Sequence, residues 1–533
     1  MRVSRPRESL TVGNLSIMHE IKVMELDGGE AAGVHAAPAL GPWRPFPSIP
    51  AWPSFLSRTP DPSTLEKAKE TADTSAVSIS HAVLDKILAQ MVIIVPCMDE
   101  SPEIIEGVLS GIPHSCLIII VSNSTRKPSN DGYQAEVEML RNFCGSRRQA
   151  LAVHQKDPGV AAAIKATGMP ELIGADGTIR KGKGEGMILG LILAAALCPE
   201  RKYVGFVDAD NQVPGAVHEY CRTYASGFAL YPSSEDQHIM VRLRWASKPK
   251  ARGDTIVFEP EGRSSHIVNN WLNQVLSPIA DTATSDRVVV TGNAGEHAMT
   301  MCLALKLMLA GGYAIEPFHF IDLLSRQLPS LSAVPSSASS VASYNSDADA
   351  ASTSSSRASD NSLEASHVRI LQIRTRNPHI HRPSDDSHIS AMWKVGLGTI
   401  YYHSRELSSL EDLVQPGEPR DGGITTMCEK MLEFVDEHDS SQTSRDPAAD
   451  GAHEKEPLPA PRIYPPIERL DLAALGDALE HGGVADSLKQ FGLEAGWASS
   501  RALERPPVGA GLARVGTAVA RFLYLRLRAF LGL

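Results

Sequence analysis

Unbroken apolar runs alternate along the chain with stretches of helical period. Met91-Val92-Ile93-Ile94-Val95 stops at Pro96, and Leu117-Ile118-Ile119-Ile120-Val121 stops at the polar Ser122-Asn123-Ser124-Thr125. Runs of this kind read as strands buried on both faces of a parallel sheet. Between them Pro102 opens a helix that carries Ile104, Ile105, Val108 and Leu109, proline being suited to a first helical turn. Strand, helix, strand at this spacing is a βαβ unit and predicts an α/β fold with a mostly parallel central sheet flanked by helices. Tyr203-Val204-Gly205-Phe206-Val207, Ile239 to Trp245 and His367 to Ile373 read as further strands. Helices are expected over Ser78 to Gln90, Tyr133 to Phe143, Ile188 to Leu197, Pro214 to Tyr224 and Ile267 to Leu276. Gly292 to Met299 is expected to lead into an apolar helix that ends at Leu309, and residues 405 to 495 read as helices with loops. Residues 1 to about 88 show no clear period.

Composition narrows the class. The chain has 533 residues, net charge −11 and a sequence pI of about 5.9, which argues against a nucleic-acid partner because such proteins present a basic face. The seven cysteines contain no CxxC pair and point to a reducing compartment. No apolar stretch reaches the length of a membrane-spanning helix, and Met1 to Leu10 is basic without an apolar core, so a cytoplasmic protein is expected. Leu328 to Ser366 is rich in Ser, Ala and Asp and predicts a disordered insert. Glu437 to Glu456 is charged and expected to be mobile. In the final stretch, Arg514 to Leu533, Phe522, Leu523, Leu525, Leu527 and Phe530 lie among Arg521, Arg526 and Arg528. That pattern allows peripheral membrane contact, and more often marks a helix packed on the body or on a second subunit.

The candidate chemistry sits where apolar runs end. Asp208-Ala209-Asp210 follows the Tyr203 run, and ligands of open α/β sheets bind beyond the carboxyl ends of the strands. Two carboxylates on a tight turn suit a divalent cation that also holds phosphate oxygens; a solvated turn is the plain alternative. Gly177, Gly182 and Lys183 nearly spell a P-loop, but position 184 is Gly rather than Ser or Thr and no apolar strand precedes Gly177. What remains is a glycine-rich turn that could approach an anion, with Lys183 adding charge. Gly262-Arg263-Ser264-Ser265 opens a helix and forms either an anion pocket or an ordinary serine cap. Lys248, Lys250 and Arg252 make a basic patch. Glu296 is a first-turn dipole residue or a site carboxylate, and the pair His379 and His381 after a strand is a candidate metal site.

Several of these loops together resemble one family. Val95 to Glu100, Gly107 to His114, His154 to Pro158, Gly182 to Met187, Phe206 to Asn211, Ala294 to Met299 and Arg376 to His379 look like the mannosyl-3-phosphoglycerate synthases, over about residues 88 to 327 and 367 to 405, with Tyr464-Pro465-Pro466 extending the likeness. The resemblance implies a GT-A-type fold and transfer of mannose from GDP-mannose to 3-phosphoglycerate with retention. It also implies a divalent metal, Mg²⁺ first, with Mn²⁺ or Co²⁺ as alternatives. It assigns Asp208 to donor ribose or metal and Asp210 with His379 to the metal, His381 being the alternative. Pro96, Glu100, Ser122 and Lys183 fall to the donor, Gly262, Arg263 and Ser265 to the acceptor, and Glu296 to orienting substrate. A homodimer is expected. The implied organisation is an N-terminal extension (1–88), a catalytic domain (89–327 and 367–410) split by the Ser-rich insert (328–366), a helical region (411–495) and a basic apolar tail (496–533). The insert and the tail depart from the prokaryotic members of the family. Three rival readings share the motifs: glucosyl transfer to phosphoglycerate, a sugar-phosphate nucleotidyltransferase, and a non-catalytic sugar-nucleotide binding module.

Overall fold

Eight strands carry the centre of a 12-stranded sheet. In chain order they are β1 (Leu15–Glu25), β2 (Met91–Cys97), β3 (Leu117–Ser122), β4 (Ala150–His154), β5 (Tyr203–Phe206), β6 (His238–Arg244), β7 (His297–Thr300) and β8 (Val368–Arg374). Their spatial order is β4-β3-β2-β5-β7-β6-β8-β1. The neighbours β4/β3, β3/β2 and β2/β5 are parallel, as are β6/β8 and β8/β1. Only β7 runs against its neighbours β5 and β6, so the other seven strands point one way. The computed structural model describes residues 1–26, 76–144, 148–231, 238–252, 255–276, 287–327, 363, 366–381, 386–414, 424–442, 458–481, 484 and 487–491. All of these belong to one compact unit, Met1–Gly492.

The apolar runs form strands because both faces are covered. Every residue of β3 is buried, and all of β2 except Pro96 and Cys97 is fully so. Side chains alternate between faces along a strand. Ile93 and Val95 join a core with helices α1 (Pro102–Gly111) and α3 (Pro214–Ala229), while Ile94 faces α2 (Lys183–Leu197). There Gly190 lets the helix close on the sheet, since a methyl group at that position would stand 2.5 Å from Ile94 Cγ2. Three further helices border the site: α4 (Arg263–Leu276), α5 (Ile315–Arg326) and α6 (Asp386–Val414).

Two expectations need correction. Gly292 to Leu309 is not a lead into one helix. It is a loop, then β7, a short helix at Met301–Lys306 and a strand at Leu309–Ala310. The slot between β5 and β6 explains this, because a segment hydrogen-bonded on both sides satisfies its backbone as a strand. The start of the chain is also more ordered than its pattern suggested. Arg2–Ser4, Arg7–Val12 and β1 are strands, β1 pairs with β8, and Ala76–Ser78 and the helix His81–Leu88 follow. The Ser-rich insert (apart from Leu363 and Ser366), residues 443–457 and the basic tail lie outside the described residues.

Candidate active site

With seven strands pointing one way, the loops leaving β2, β3, β5, β6 and β8 emerge at one edge of the sheet. β7 is reversed, so the loop entering it arrives at that same edge, where His297 pairs with Phe206 and with Arg242. These loops and the start of α2 enclose a cavity of about 350 Å³. Pro96, Glu100, Lys183, Asp208, Asp210, Ser265, His379 and His381 all line it. Four expected residues lie elsewhere. Ser122 is fully buried beneath the loop, its hydroxyl accepting from the Ser124 amide at 3.2 Å. Glu296 is completely buried and does not line the cavity. Gly262 and Arg263 border a neighbouring cavity of about 700 Å³, where the Arg263 guanidinium pairs with Asp386 at 2.5 Å.

A chain of opposite charges crosses the floor. Lys183 Nζ lies 2.8 Å from Asp208 Oδ1, 3.0 Å from Asp208 Oδ2 and 3.2 Å from Glu316 Oε1. Burial works against the Lys183 charge, yet Asp208 and Glu316 hold its pKa well above the ordinary lysine value. Gly295 makes room for this pair: a methyl group there would come within 2.5 Å of Lys183 Nζ and 2.6 Å of Asp208 Oδ2. Gly184 does the same for the turn that carries Lys183, since a side chain there would strike the Ala310 carbonyl at 2.6 Å. Asp210 stands 3.8 Å from His381 Nδ1. Burial, reinforced by Asp208, raises the Asp210 pKa.

His379 is fixed by its surroundings. Its Nδ1 meets the Tyr220 hydroxyl at 3.1 Å and Asn211 Nδ2 at 3.3 Å, and its ring stacks on Trp245 with centroids 4.4 Å apart. Burial keeps this imidazole neutral, its pKa well below the ordinary value. Glu296 Oε1 lies 3.6 Å from the same Nδ1, and neither oxygen of that carboxylate accepts a hydrogen bond from the described residues. Burial, with Asp208 adding to it, pushes the Glu296 pKa up to about 8. At the far end, Asp99 takes a left-handed backbone with φ 60°, a conformation uncommon outside glycine. Its amide donates to Ser124 Oγ at 2.8 Å, and its carboxylate accepts the Thr125 amide at 2.7 Å.

The chain matches, over residues 5–479, the family described as "Mannosyl-3-phosphoglycerate synthase (osmo_MPGsynth)". The mannosyl-3-phosphoglycerate synthase of Pyrococcus furiosus is 39% identical over 363 residues, 66% of this chain and 84% of that protein. This chain belongs to the mannosyl-3-phosphoglycerate synthase family. Its counterpart in Aeropyrum pernix is 33% identical over 342 residues, covering 64% of this chain and 80% of the relative. Among solved structures, the glucosyl-3-phosphoglycerate synthase of Mycobacterium tuberculosis in complex with Mn²⁺, UDP-glucose and phosphoglyceric acid aligns at 17% identity with a TM-score of 0.37, over 62% of this chain and 85% of the other. The expectation of a glycosyltransferase of the mannosyl-3-phosphoglycerate synthase family is met.

Among the cavity residues that went unassigned in the sequence are Trp245, Lys248, Asn293 and Glu316. Lys248 stood out only as one of three basic residues, and nothing local marks Glu316 as the second partner of Lys183. The metal question turns on donor chemistry. Among the described residues no group of three His, Cys, Asp or Glu side chains converges on one point. The donors that are present still fit a hard divalent cation. They are the Asp210 carboxylate, the His381 ring 3.8 Å from it, and a neutral His379 whose Nδ1 is already engaged, which leaves Nε2 as its ligand nitrogen. Such an ion would complete its shell with phosphate oxygens and water.

Proposed function

We propose that this protein transfers mannose from GDP-mannose to the 2-hydroxyl of 3-phosphoglycerate with retention, releasing GDP. The family membership supports the reaction, and one observation carries the chemistry. Lys183, Asp208, Asp210 and His381 meet in a single cavity at the carboxyl ends of parallel strands, where the binding crevice of such sheets lies. Asp210 with His379 or His381 would hold a divalent metal, Mg²⁺ or Mn²⁺, which when bound neutralises charge on the diphosphate. Lys183, kept cationic by its two carboxylates, adds a fixed positive charge on the same side. Pro96, Glu100 and Asn123 shape the end of the cavity suited to the nucleoside. Ser264, Ser265 and the start of α4 supply hydroxyls and backbone N–H groups for the acceptor anion.

Transfer breaks the bond between the sugar anomeric carbon and the diphosphate oxygen, and forms a bond from that carbon to the acceptor 2-oxygen. Retention by double displacement needs a carboxylate nucleophile facing the sugar. Glu296 is buried below the cavity, so same-face attack is favoured, with the departing phosphate oxygen taking the hydroxyl proton. All seven cysteines are unpaired, and no helix among the described residues is long and apolar enough to cross a membrane; both agree with a cytoplasmic location. A homodimer completes the proposal, and light scattering on the purified protein reads it directly. Incubating the protein with GDP-mannose, 3-phosphoglycerate and Mg²⁺ should yield mannosyl-3-phosphoglycerate and GDP. Efficient turnover of UDP-glucose in place of GDP-mannose would instead support the glucosyl reading, and release of a nucleoside triphosphate from sugar nucleotide and pyrophosphate would support the nucleotidyltransferase.

A further inference from the structure

Three lysines line the cavity: Lys181 is exposed at its rim, while Lys183 and Lys248 are partly buried and their situations differ. Lys183 is held by Asp208 and Glu316 at 2.8 to 3.2 Å. Lys248 instead has the Trp245 ring beneath its ammonium, 3.9 Å from Nζ to the centroid. It sits between the two halves of the site. A methyl group at Gly262, just before α4, would stand 3.4 Å from Lys248 Nζ. On its other side Trp245 stacks on His379. Arg263 offers no cation here, since it pairs with Asp386 in the neighbouring cavity.

We propose that Lys248 pairs with the carboxylate of the acceptor and so selects an acid group beside the hydroxyl that is glycosylated. This deepens the functional reading above and rests on it. The carbon that bears the reacting hydroxyl in 3-phosphoglycerate also bears the carboxylate, while phosphorus lies two bonds further away. A cation lodged between the Asp210–His379 side and the start of α4 therefore meets the carboxylate. The phosphate falls to the N–H groups of α4 and to Ser264 and Ser265. Asn293 already orients that end, donating from Nδ2 to Ser264 Oγ at 3.2 Å. The cation–π contact with Trp245 holds the ammonium in place before substrate arrives.

The test compares the parent enzyme with K248M and K248R, varying GDP-mannose and 3-phosphoglycerate in turn and measuring inhibition by glycerol 3-phosphate, which keeps the phosphate and lacks the carboxylate. In K248M the KM for 3-phosphoglycerate should rise about tenfold or more, the usual scale for losing a charged hydrogen-bond partner. The KM for GDP-mannose and the Ki of glycerol 3-phosphate should stay within about twofold of the parent, on the same scale. K248R should recover most of the loss. An unchanged KM for 3-phosphoglycerate, an equal loss for glycerol 3-phosphate, or a defect confined to GDP-mannose would each overturn the assignment. If the parent itself transfers no mannose, the functional reading fails. If the parent is active and K248M is indistinguishable from it, only this inference fails. Should K248M misfold, K248Q keeps a polar end in the cavity and carries the same comparison.

Discussion

Asp210 is the residue on which the metal assignment turns. Replacing it with alanine removes the carboxylate that stands 3.8 Å from His381. Turnover of Asp210→Ala at saturating metal should fall by about two orders of magnitude or more, since metal stabilisation of developing charge is worth several kcal/mol; near-parental turnover would remove Asp210 from the metal site. Gly295 makes a subtler case. An added methyl would press on the tips of Lys183 and Asp208, which can swing aside more easily than backbone. In Gly295→Ala the ion pair should therefore yield, turnover should drop by about tenfold, and thermal stability should barely move. A large fall in melting temperature with normal turnover would show that the position matters for folding alone. Asp208, Asp210 and Lys183 were legible in the sequence because each belongs to a short local motif at one end of an apolar run, the two aspartates after a strand and Lys183 before a helix. The Arg263–Asp386 pair was not, because its partners are 123 positions apart. Nor could a basic patch reveal that Lys248 points into the cavity beside Trp245.

At the scale of elements, buried parallel strands were the easiest to read. β2 and β3 are continuous apolar runs whose burial matches their composition. β7 was misread because His297-Ala298-Met299-Thr300 carries a single β-branched residue, Thr300, and no alternation; its partners β5 and β6 impose the strand. β1 carries apolar residues at 15, 17, 21 and 23, but His19 interrupts the alternation. Its pairing with β8 also shifts register between Leu371 and Ile373. Deleting residues 1–26 would strip β8 of its outer partner and bare a hydrogen-bonding edge. The expected result is loss of soluble monodisperse protein, read by size-exclusion chromatography; an unchanged elution profile would show that β8 tolerates an open edge. The Ser-rich insert behaves differently. Gln327 Oε1 accepts the Asn14 amide at 2.7 Å, and the Val368 amide donates to the Asn14 carbonyl at 2.8 Å. Both ends of the insert thus reach the same residue. Replacing 329–361 by a short Gly/Ser linker should leave turnover and melting temperature nearly unchanged, because loop length alone costs little. A collapse of activity in folded protein would assign the insert to the site.

The whole molecule responds to pH through groups far from its surface. His297 and His319 are fully buried, and burial holds both pKa values well below the ordinary value, His319 and Arg242 adding to the effect at His297. The unfolded chain takes up protons below about pH 6.5, and the folded protein refuses them at these two rings. More protons on the unfolded state means that stability falls as pH drops. Glu296 and Glu136, raised by burial, act in the opposite direction, so the informative experiment is differential. Between pH 7 and pH 5 the melting temperature of His319→Gln should fall less than that of the parent; equal slopes would show that His319 is not a source of acid lability. None of this was visible in the sequence, where a histidine on a helix does not disclose that it is sealed beneath Arg242.

The pairing of β1 with β8 also sets an order of events during synthesis. β1 leaves the ribosome well before its parallel partner β8, which follows only after more than three hundred further residues. Until then β1 has only the short strands around it for company, and a short antiparallel ribbon is marginal on its own. Loop closure over so long a separation slows folding, and an unpaired strand is open to wrong partners meanwhile. The newborn chain therefore spends a long stretch of translation with this edge of the sheet unfinished. Its yield should depend on chaperone supply and translation speed more than on the strength of its core.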